Sequence, residues 1–371
     1  MFLSISNTPR DYAWGSTTAI SSLLGTTPSG GPEAELWLGT HPGSPSLLPD
    51  GSPLASVVHL PFLLKVLAAA SPLSLQAHPT FAQAIAGFAR ENAAGVPLDA
   101  PDRNYKDELH KPEIIFALTP FRALCGFRPA SETASALERL CAAAPGNPYL
   151  NGWLDRLNDD DDIRACFEWL ISRGPGVDEV VAALVATAPL VSGDHYDLIA
   201  ELSSVYPGDP GIAISLMLNL AVLSPGEVLY LPAGNIHAYI EGLGIELMAA
   251  SDNVLRGGLT PKHVDVPELL SVLDFTPLPV PYLRPISSDP DVFRPSVRDF
   301  ELVHVTGATT VPLVSDAILL CTAGSFDVSG HAVLRGESYF MSADEGTLSI
   351  TGSGELFVAT GAQTAPSSPV N

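Results

Sequence analysis

Residues 225–241, PGEVLYLPAGNIHAYIE, constrain the fold of this chain more than any other segment. Gly226 opens a turn, the apolar run 228–231 predicts a strand, and a Pro-Ala-Gly turn then leads to His237. If these strands form the wall of a small β-barrel, a histidine at the start of the second strand points into an interior filled by side chains. The alternative is an ordinary hairpin with a core histidine. In the barrel, His237 would be an inward-facing metal ligand.

Two other segments provide the ligands that such a histidine would need. Gln76 and His78 are two residues apart, so on a strand they point to the same face. Glu113 follows in the segment His-Lys-Pro-Glu. Together with His237 these side chains offer two imidazole nitrogens, a carboxylate and an amide oxygen. That set suits zinc or another borderline divalent ion.

Seven blocks of the sequence, in the same order, resemble class I mannose-6-phosphate isomerases of the cupin superfamily. They span residues 35–270, and the last hundred residues match only loosely. The blocks are ELWLGTH (35–41), PFLLKVL (61–67), SLQAHP (74–79), HKPEIIFAL (110–118), ALCGFRP (123–129), LPAGNIHAYI (231–240) and MAASDNVLRGGLTPKHVDVPELL (248–270).

The resemblance implies a zinc-dependent aldose–ketose isomerase with one Zn²⁺ per chain, bound by Gln76, His78, Glu113 and His237. It would interconvert mannose 6-phosphate and fructose 6-phosphate by proton transfer through an enediolate. The family's catalytic arginine falls on Arg256.

The reaction also needs a ring opener and a base beside the carbon that loses its proton. His110 is the candidate for the ring-opening proton. The base is Lys111, Glu246 or Asp252, and the sequence does not choose among them.

The phosphate of such a substrate would need local positive charge, because the chain has a net charge of −23. That charge also argues against nucleic acid and anionic membranes as partners. Only four of the 18 basic residues are lysines, and three of these four lie in the family blocks. By their positions Ser74 and Lys262 are the expected phosphate contacts, with Lys65 as an additional charge.

Two departures from the general cupin pattern leave other functions open. Glu241 stands where the second cupin motif usually ends in asparagine, and the paired histidines of the first motif are replaced by Gln76-x-His78. Two histidines and a carboxylate are also the ligands of oxygen-activating iron sites. The alternatives are therefore a 2-His-1-carboxylate iron oxygenase and a non-enzymatic sugar-binding cupin.

The expected fold is mainly β with an α-helical insertion, formed by two cupin-like jelly rolls and a small helical domain. Residues 1–129 and 206–270 would form the catalytic cupin domain with the metal site, 130–205 the helical domain, and 271–371 a metal-free jelly roll. An internal repeat supports two jelly rolls, since PGEVLYLPAG (225–234) aligns with RGESYFMSAD (335–344). Thr347 then occupies the position of His237.

Apolar residues at helical spacing predict one helix over 81–92 and four more within 130–205, at 131–144, 162–172, 177–188 and 196–205. The acidic run Asp159–Asp162 is interpreted as capping the start of one of these helices.

The four cysteines are scattered without metal-ligand spacing, which fits a reducing compartment. The chain begins without a basic and apolar leader, and its longest apolar run is too short to span a bilayer. We expect a cytoplasmic monomer whose partner is a small-molecule sugar phosphate.

Overall fold

The computed structural model describes residues 1–362 and is mainly β, as predicted. The first ten strands are Phe2–Ile5 (β1), Glu35–Gly39 (β2), Phe62–Ala69 (β3), Gln76–Ala77 (β4), Glu113–Ala117 (β5), Phe121–Phe127 (β6), Leu218–Leu223 (β7), Val228–Leu231 (β8), His237–Ala249 (β9) and Leu255–Arg256 (β10). Seven more follow: Asp291–Phe293 (β11), Glu301–Val305 (β12), Thr309–Pro312 (β13), Ala317–Val328 (β14), His331–Leu334 (β15), Ser338–Met341 (β16) and Thr347–Thr360 (β17).

The strands form two antiparallel sheets. Strands β2 to β10 make a nine-stranded sheet in which the long strand β9 pairs with β3, β4, β5 and β6. Strands β11 to β17 make the second sheet together with β1, which pairs with β16. The N-terminal strand therefore belongs to the same sheet as the C-terminal strands.

Nine helices lie within residues 1–362: Ala19–Leu24 (α1), Phe81–Ala93 (α2), Ala130–Ala143 (α3), Pro148–Leu154 (α4), Asp162–Ile171 (α5), Val177–Thr187 (α6), Asp194–Val205 (α7), Gly211–Ser215 (α8) and Val266–Val272 (α9). The five predicted helices are confirmed as α2, α3, α5, α6 and α7. The prediction of four helices within 130–205 is wrong by one, because α4 is also present. No helix in this part of the chain is long and apolar enough to cross a membrane.

The acidic run before α5 caps the start of α3 rather than that of α5. Asp161 is the N-cap of α5, and its side chain makes no capping hydrogen bond. Asp160 instead accepts a hydrogen bond of 2.7 Å from the backbone N–H of Ala130, the first residue of α3. The run thus ties the start of α3 to the turn that precedes α5.

Aromatic side chains join the two sheets and the helical insertion. Phe116 on β5 lies 5.7 Å from Phe293 on β11 and 5.1 Å from Phe357 on β17, measured between ring centroids. On the other side of the first sheet, Phe127 on β6 packs against Phe167 of α5 at 5.6 Å. The first sheet therefore shares one hydrophobic core with the second sheet and another with the helices.

The predicted internal repeat is visible in the strands. Strand β8 and the long strand β9, which begins at His237, correspond to β16 and the long strand β17, which begins at Thr347. The histidine of the first unit thus corresponds to a threonine in the second.

Candidate active site

Antiparallel pairing brings distant segments into one row at the candidate metal site. The short strand β4 lies between β9 and β10, so Gln76 is opposite His237 on one side and Arg256 on the other. Strand β5 pairs with the far end of β9 and begins at Glu113, while His78 follows directly after β4.

Glu113 lies between the two predicted histidine ligands. Its Oε1 is 3.4 Å from Nε2 of His78, and its Oε2 is 3.3 Å from Nε2 of His237. All three side chains are almost fully buried, and their possible ligand atoms lie within 4.8 Å of one another. Gln76 completes the predicted set, since its amide nitrogen is 3.4 Å from Nε2 of His237.

Backbone carbonyls fix the tautomer of both histidines. Nδ1 of His78 is 2.7 Å from the carbonyl oxygen of Asn253, and Nδ1 of His237 is 3.1 Å from that of Asn235. A carbonyl only accepts, so both Nδ1 atoms carry the proton and both Nε2 atoms face Glu113 with a lone pair. Burial and the positive charge of Lys111 lower the pKa of His78 to about 4, so its ring is neutral at pH 7.

These residues fit a divalent cation. The Nε2 of His78 and the Oε2 of Glu113 are buried without a hydrogen-bond partner in the described chain. Three acceptor atoms thus converge, and unpaired buried acceptors are costly unless a cation lies among them. Rotating the Gln76 amide by half a turn would present its oxygen as a fourth ligand, since the two ends of an amide are nearly isosteric.

A cavity of about 630 Å³ opens beside this site, and Gln76 and Glu113 line it. Its wall contains all four lysines of the chain, together with two arginines. The cavity is therefore locally cationic in a protein whose net charge is −23.

Three of these cations have no ion pair within residues 1–362: Arg256, Lys262 and Lys106. Burial, Arg256 and Lys106 lower the pKa of Lys262, which shows that the three charges lie near one another. Ser74 lines the same cavity. Such a cluster provides a place for an anionic group.

Lys65 differs from these three cations because its charge is already paired. Its Nζ is 2.8 Å from Oε2 of Glu246 and 3.6 Å from Oε1 of Glu35. Burial alone would lower the pKa of Lys65, but the two carboxylates raise it above its ordinary value. Lys65 therefore compensates buried carboxylates and is not free to bind a phosphate.

All three candidate bases line the cavity, but they differ in access. The side chain of Asp252 is 47% exposed, whereas that of Lys111 is 10% and that of Glu246 is 4% exposed. Lys111 and Glu246 are engaged in ion pairs with Glu113 and Lys65, respectively.

His110 lies apart from the other predicted residues. Its Nε2 is 2.9 Å from Oδ2 of Asp299 in the segment before β12, its ring packs edge-on against Phe81, and it does not line the cavity. A role in ring opening gains no support from this geometry.

Two cavity residues, Lys106 and His41, had no functional role in the sequence analysis. The scarcity of lysine was a signal that could have identified Lys106. For His41 the local sequence contains no comparable signal, because its contact with Asp252 joins two distant segments.

The fold and the site define a mainly β protein in which a buried divalent-metal site adjoins a cationic cavity. The family model for the catalytic domain of type I phosphomannose isomerase matches residues 54–130. Mannose-6-phosphate isomerase of Escherichia coli (strain K12) is 38% identical, with 94% of this chain and 97% of the relative covered. The Homo sapiens protein of the same name is 33% identical, covering 91% of this chain and 92% of its own.

The structural comparison agrees with the sequence comparison. A crystal structure of mannose 6-phosphate isomerase bound with zinc and yttrium superposes with a TM-score of 0.90 at 36% identity, covering 98% of this chain and 100% of the other. A variant of phosphomannose isomerase from Salmonella typhimurium gives the same TM-score, identity and coverage. The chain belongs to the mannose-6-phosphate isomerase family.

Proposed function

We propose that this protein is a zinc-dependent isomerase that interconverts mannose 6-phosphate and fructose 6-phosphate. One observation supports it above all: three buried metal-binding acceptors lie beside a cavity that holds three cations without an ion pair in the described chain. Membership of the family supplies the substrate, and a zinc-bound relative supplies the metal.

Gln76, His78, Glu113 and His237 would hold one zinc ion. When bound, the ion acts as a Lewis acid that polarises nearby oxygen atoms. No second group of three metal-binding side chains occurs within residues 1–362, which supports one ion per chain.

Asp252 is the proposed base, because it is the most accessible of the three candidates. In the aldose-to-ketose direction it removes the proton from C2, and the released electron pair forms the C1–C2 double bond while the carbonyl electrons move to O1. Delivery of a proton from Asp252 to C1 and transfer of the O2 proton to O1 leave the carbonyl at C2.

The cations of the cavity take three roles in this proposal. Arg256 lies next to Gln76 in the strand register and carries a permanent charge that stabilises the developing enediolate. Lys111, which forms an ion pair with Glu113, donates hydrogen bonds to the sugar oxygens. Lys262 and Lys106, with Ser74, hold the C6 phosphate.

The domain organisation remains part of the proposal. The nine-stranded sheet would form the catalytic cupin jelly roll, residues 130–205 the helical domain, and the eight-stranded sheet a second jelly roll without metal. The strand-level repeat supports two related units. Residues 363–371 of the C-terminal unit lie outside the described part of the chain.

A coupled assay of zinc-loaded protein tests the function. We expect fructose 6-phosphate to form from mannose 6-phosphate at the same rate in air and under nitrogen, and the rate to fall when a chelator removes the zinc. Dependence on oxygen would indicate an oxygenase instead. No turnover by a folded, zinc-loaded sample would refute the proposal.

A further inference from the structure

His41 lies at the wall of the cavity in a fixed orientation. It follows β2 and is only 4% exposed. Its ring packs edge-on against Trp37, with centroids 5.0 Å apart, and a Cβ atom on Gly43 would lie 3.2 Å from its Nδ1. The imidazole is held between these neighbours, so it cannot turn without displacing one of them.

Both ring nitrogens of His41 lie near a polar group, and the hydrogen bond from Gly43 defines the tautomer. The backbone N–H of Gly43 donates to Nδ1 at 3.1 Å, so Nδ1 has the lone pair. In a neutral imidazole the proton is then on Nε2. That atom is 3.4 Å from Oδ1 of Asp252, so its N–H is within reach of the carboxylate.

Burial of the His41 ring disfavours its protonated form. Burial lowers the pKa of His41; Lys65 and Lys111 act in the same direction, while Asp252 and Asp107 oppose them. The ring therefore presents a neutral N–H donor toward Asp252.

Asp252 needs such a partner. Its backbone N–H is bonded to Oδ2 of Asp107, but within residues 1–362 its side chain has no polar partner other than His41. A half-exposed carboxylate held at one oxygen keeps its other oxygen available, whereas an unrestrained one samples several rotamers.

We propose that His41 is a positioning residue that orients the carboxylate of Asp252 for proton transfer. This inference rests on the proposed isomerase function and on Asp252 as its base. Small misplacements of a reacting group cost rate rather than binding, so losing the contact should lower kcat and leave KM nearly unchanged.

A purely structural role is the competing explanation, because His41 also accepts the Gly43 N–H. Two substitutions separate the two contacts. In His41→Gln the amide NH₂ can replace Nε2 and still donate to Asp252, while in His41→Asn the amide oxygen can replace Nδ1 and still accept from Gly43.

Which of the two variants has the higher kcat decides between the explanations. We expect His41→Asn to lower kcat on the order of 10- to 100-fold, and His41→Gln to recover most of the loss. The reverse order would overturn the proposal. In an Asp252→Asn background, His41→Asn should lower kcat no further, and an additive loss would also overturn it.

A second measurement does not depend on turnover. In protein with ¹⁵N-labelled histidine, NMR should show His41 as the Nε2–H tautomer, with an Nε2 signal that shifts in Asp252→Asn. An Nδ1–H tautomer, or an unchanged signal, would refute the contact. The activity of the unaltered protein tests the isomerase function separately. Failure of the proposed function can therefore be distinguished from failure of the inference about His41.

Discussion

Asp252 and Glu246 show how two carboxylates in one cavity acquire different roles. Glu246 is buried and bonded to Lys65 at 2.8 Å, whereas the side chain of Asp252 is half exposed and, within residues 1–362, has the neutral His41 as its one polar partner. A buried carboxylate whose charge is compensated contributes to the integrity of the site. A carboxylate with a free oxygen can reach a substrate carbon.

We expect the two isosteric substitutions to differ accordingly. Asp252→Asn removes the proposed base and should lower kcat by about 10²–10⁴-fold without changing zinc content. It should also abolish exchange of the substrate C2 proton with solvent, measured by NMR in deuterated water.

Glu246→Gln provides the matched comparison. It leaves the Lys65 ammonium buried with one carboxylate fewer, so it should lower the melting temperature more than Asp252→Asn does. If Glu246→Gln abolished C2 proton exchange while Asp252→Asn retained it, Glu246 would be the base.

The cation cluster leads to a prediction about the phosphate. Lys262→Ala should raise KM for mannose 6-phosphate on the order of tenfold to a hundredfold, because a charge-assisted contact contributes about 1.5–3 kcal/mol. Lys106→Ala should act in the same direction. Steady-state kinetics on phosphorylated and unphosphorylated mannose would measure both effects.

Unphosphorylated mannose is the control, since its weak turnover, if measurable, should hardly change. Arg173→Ala controls for overall charge, because Arg173 lies outside the cavity in an exposed ion pair with Asp178. An equal loss on both sugars would assign Lys262 to the fold or the chemistry rather than to the phosphate.

Among the secondary-structure elements, α3 depends on a cap from a distant turn. The carboxylate of Asp160 accepts from the first N–H of α3, while the neighbouring Asp161 makes no side-chain cap. We expect Asp160→Ala to lower the free energy of unfolding by about 1 kcal/mol and Asp161→Ala to lower it less. Denaturant titration measures the difference, and equal effects would show that only the charge of the run matters.

The elements also show what local sequence can predict. Helices α2, α3, α5, α6 and α7 have apolar stripes long enough to reveal their period. Helix α4 has only seven residues, too few for a clear period. Asn147 followed by proline was the signal for its start, because the side chain of Asn147 accepts from the N–H groups of Tyr149 and Leu150.

The same limit applies to the site. Gln76 and His78 share one short segment, so their relation is visible in the sequence. The contact of His41 with Asp252 and the grouping of Lys106 with Lys262 depend on how separate segments meet, which no local spacing encodes. The capping partner of Asp160 was unpredictable for the same reason.

At the scale of the whole molecule, the two sheets share a core through Phe116, Phe293 and Phe357. We therefore expect the second sheet to support the metal site although it contributes no proposed ligand. Phe357→Ala should cost about 3–5 kcal/mol and lower the temperature at which zinc is released.

Calorimetry and a zinc-sensitive dye would follow unfolding and release together. The two transitions should coincide in the unaltered protein and move together in Phe357→Ala. Zinc release at an unchanged temperature in this variant would mean that the two sheets unfold independently.

The placement of every lysine in one cavity has a practical consequence for chemical labelling. Lys65 and Lys111 are buried, so the primary amines open to a reagent are those of Lys106, Lys262 and the N-terminus. An acylating reagent, unselective on most proteins, becomes here a reagent directed at the cavity. A bound sugar phosphate should shield Lys106 and Lys262 from it and leave the N-terminal amine to react, and attachment to a solid support through lysine would block the cavity entrance.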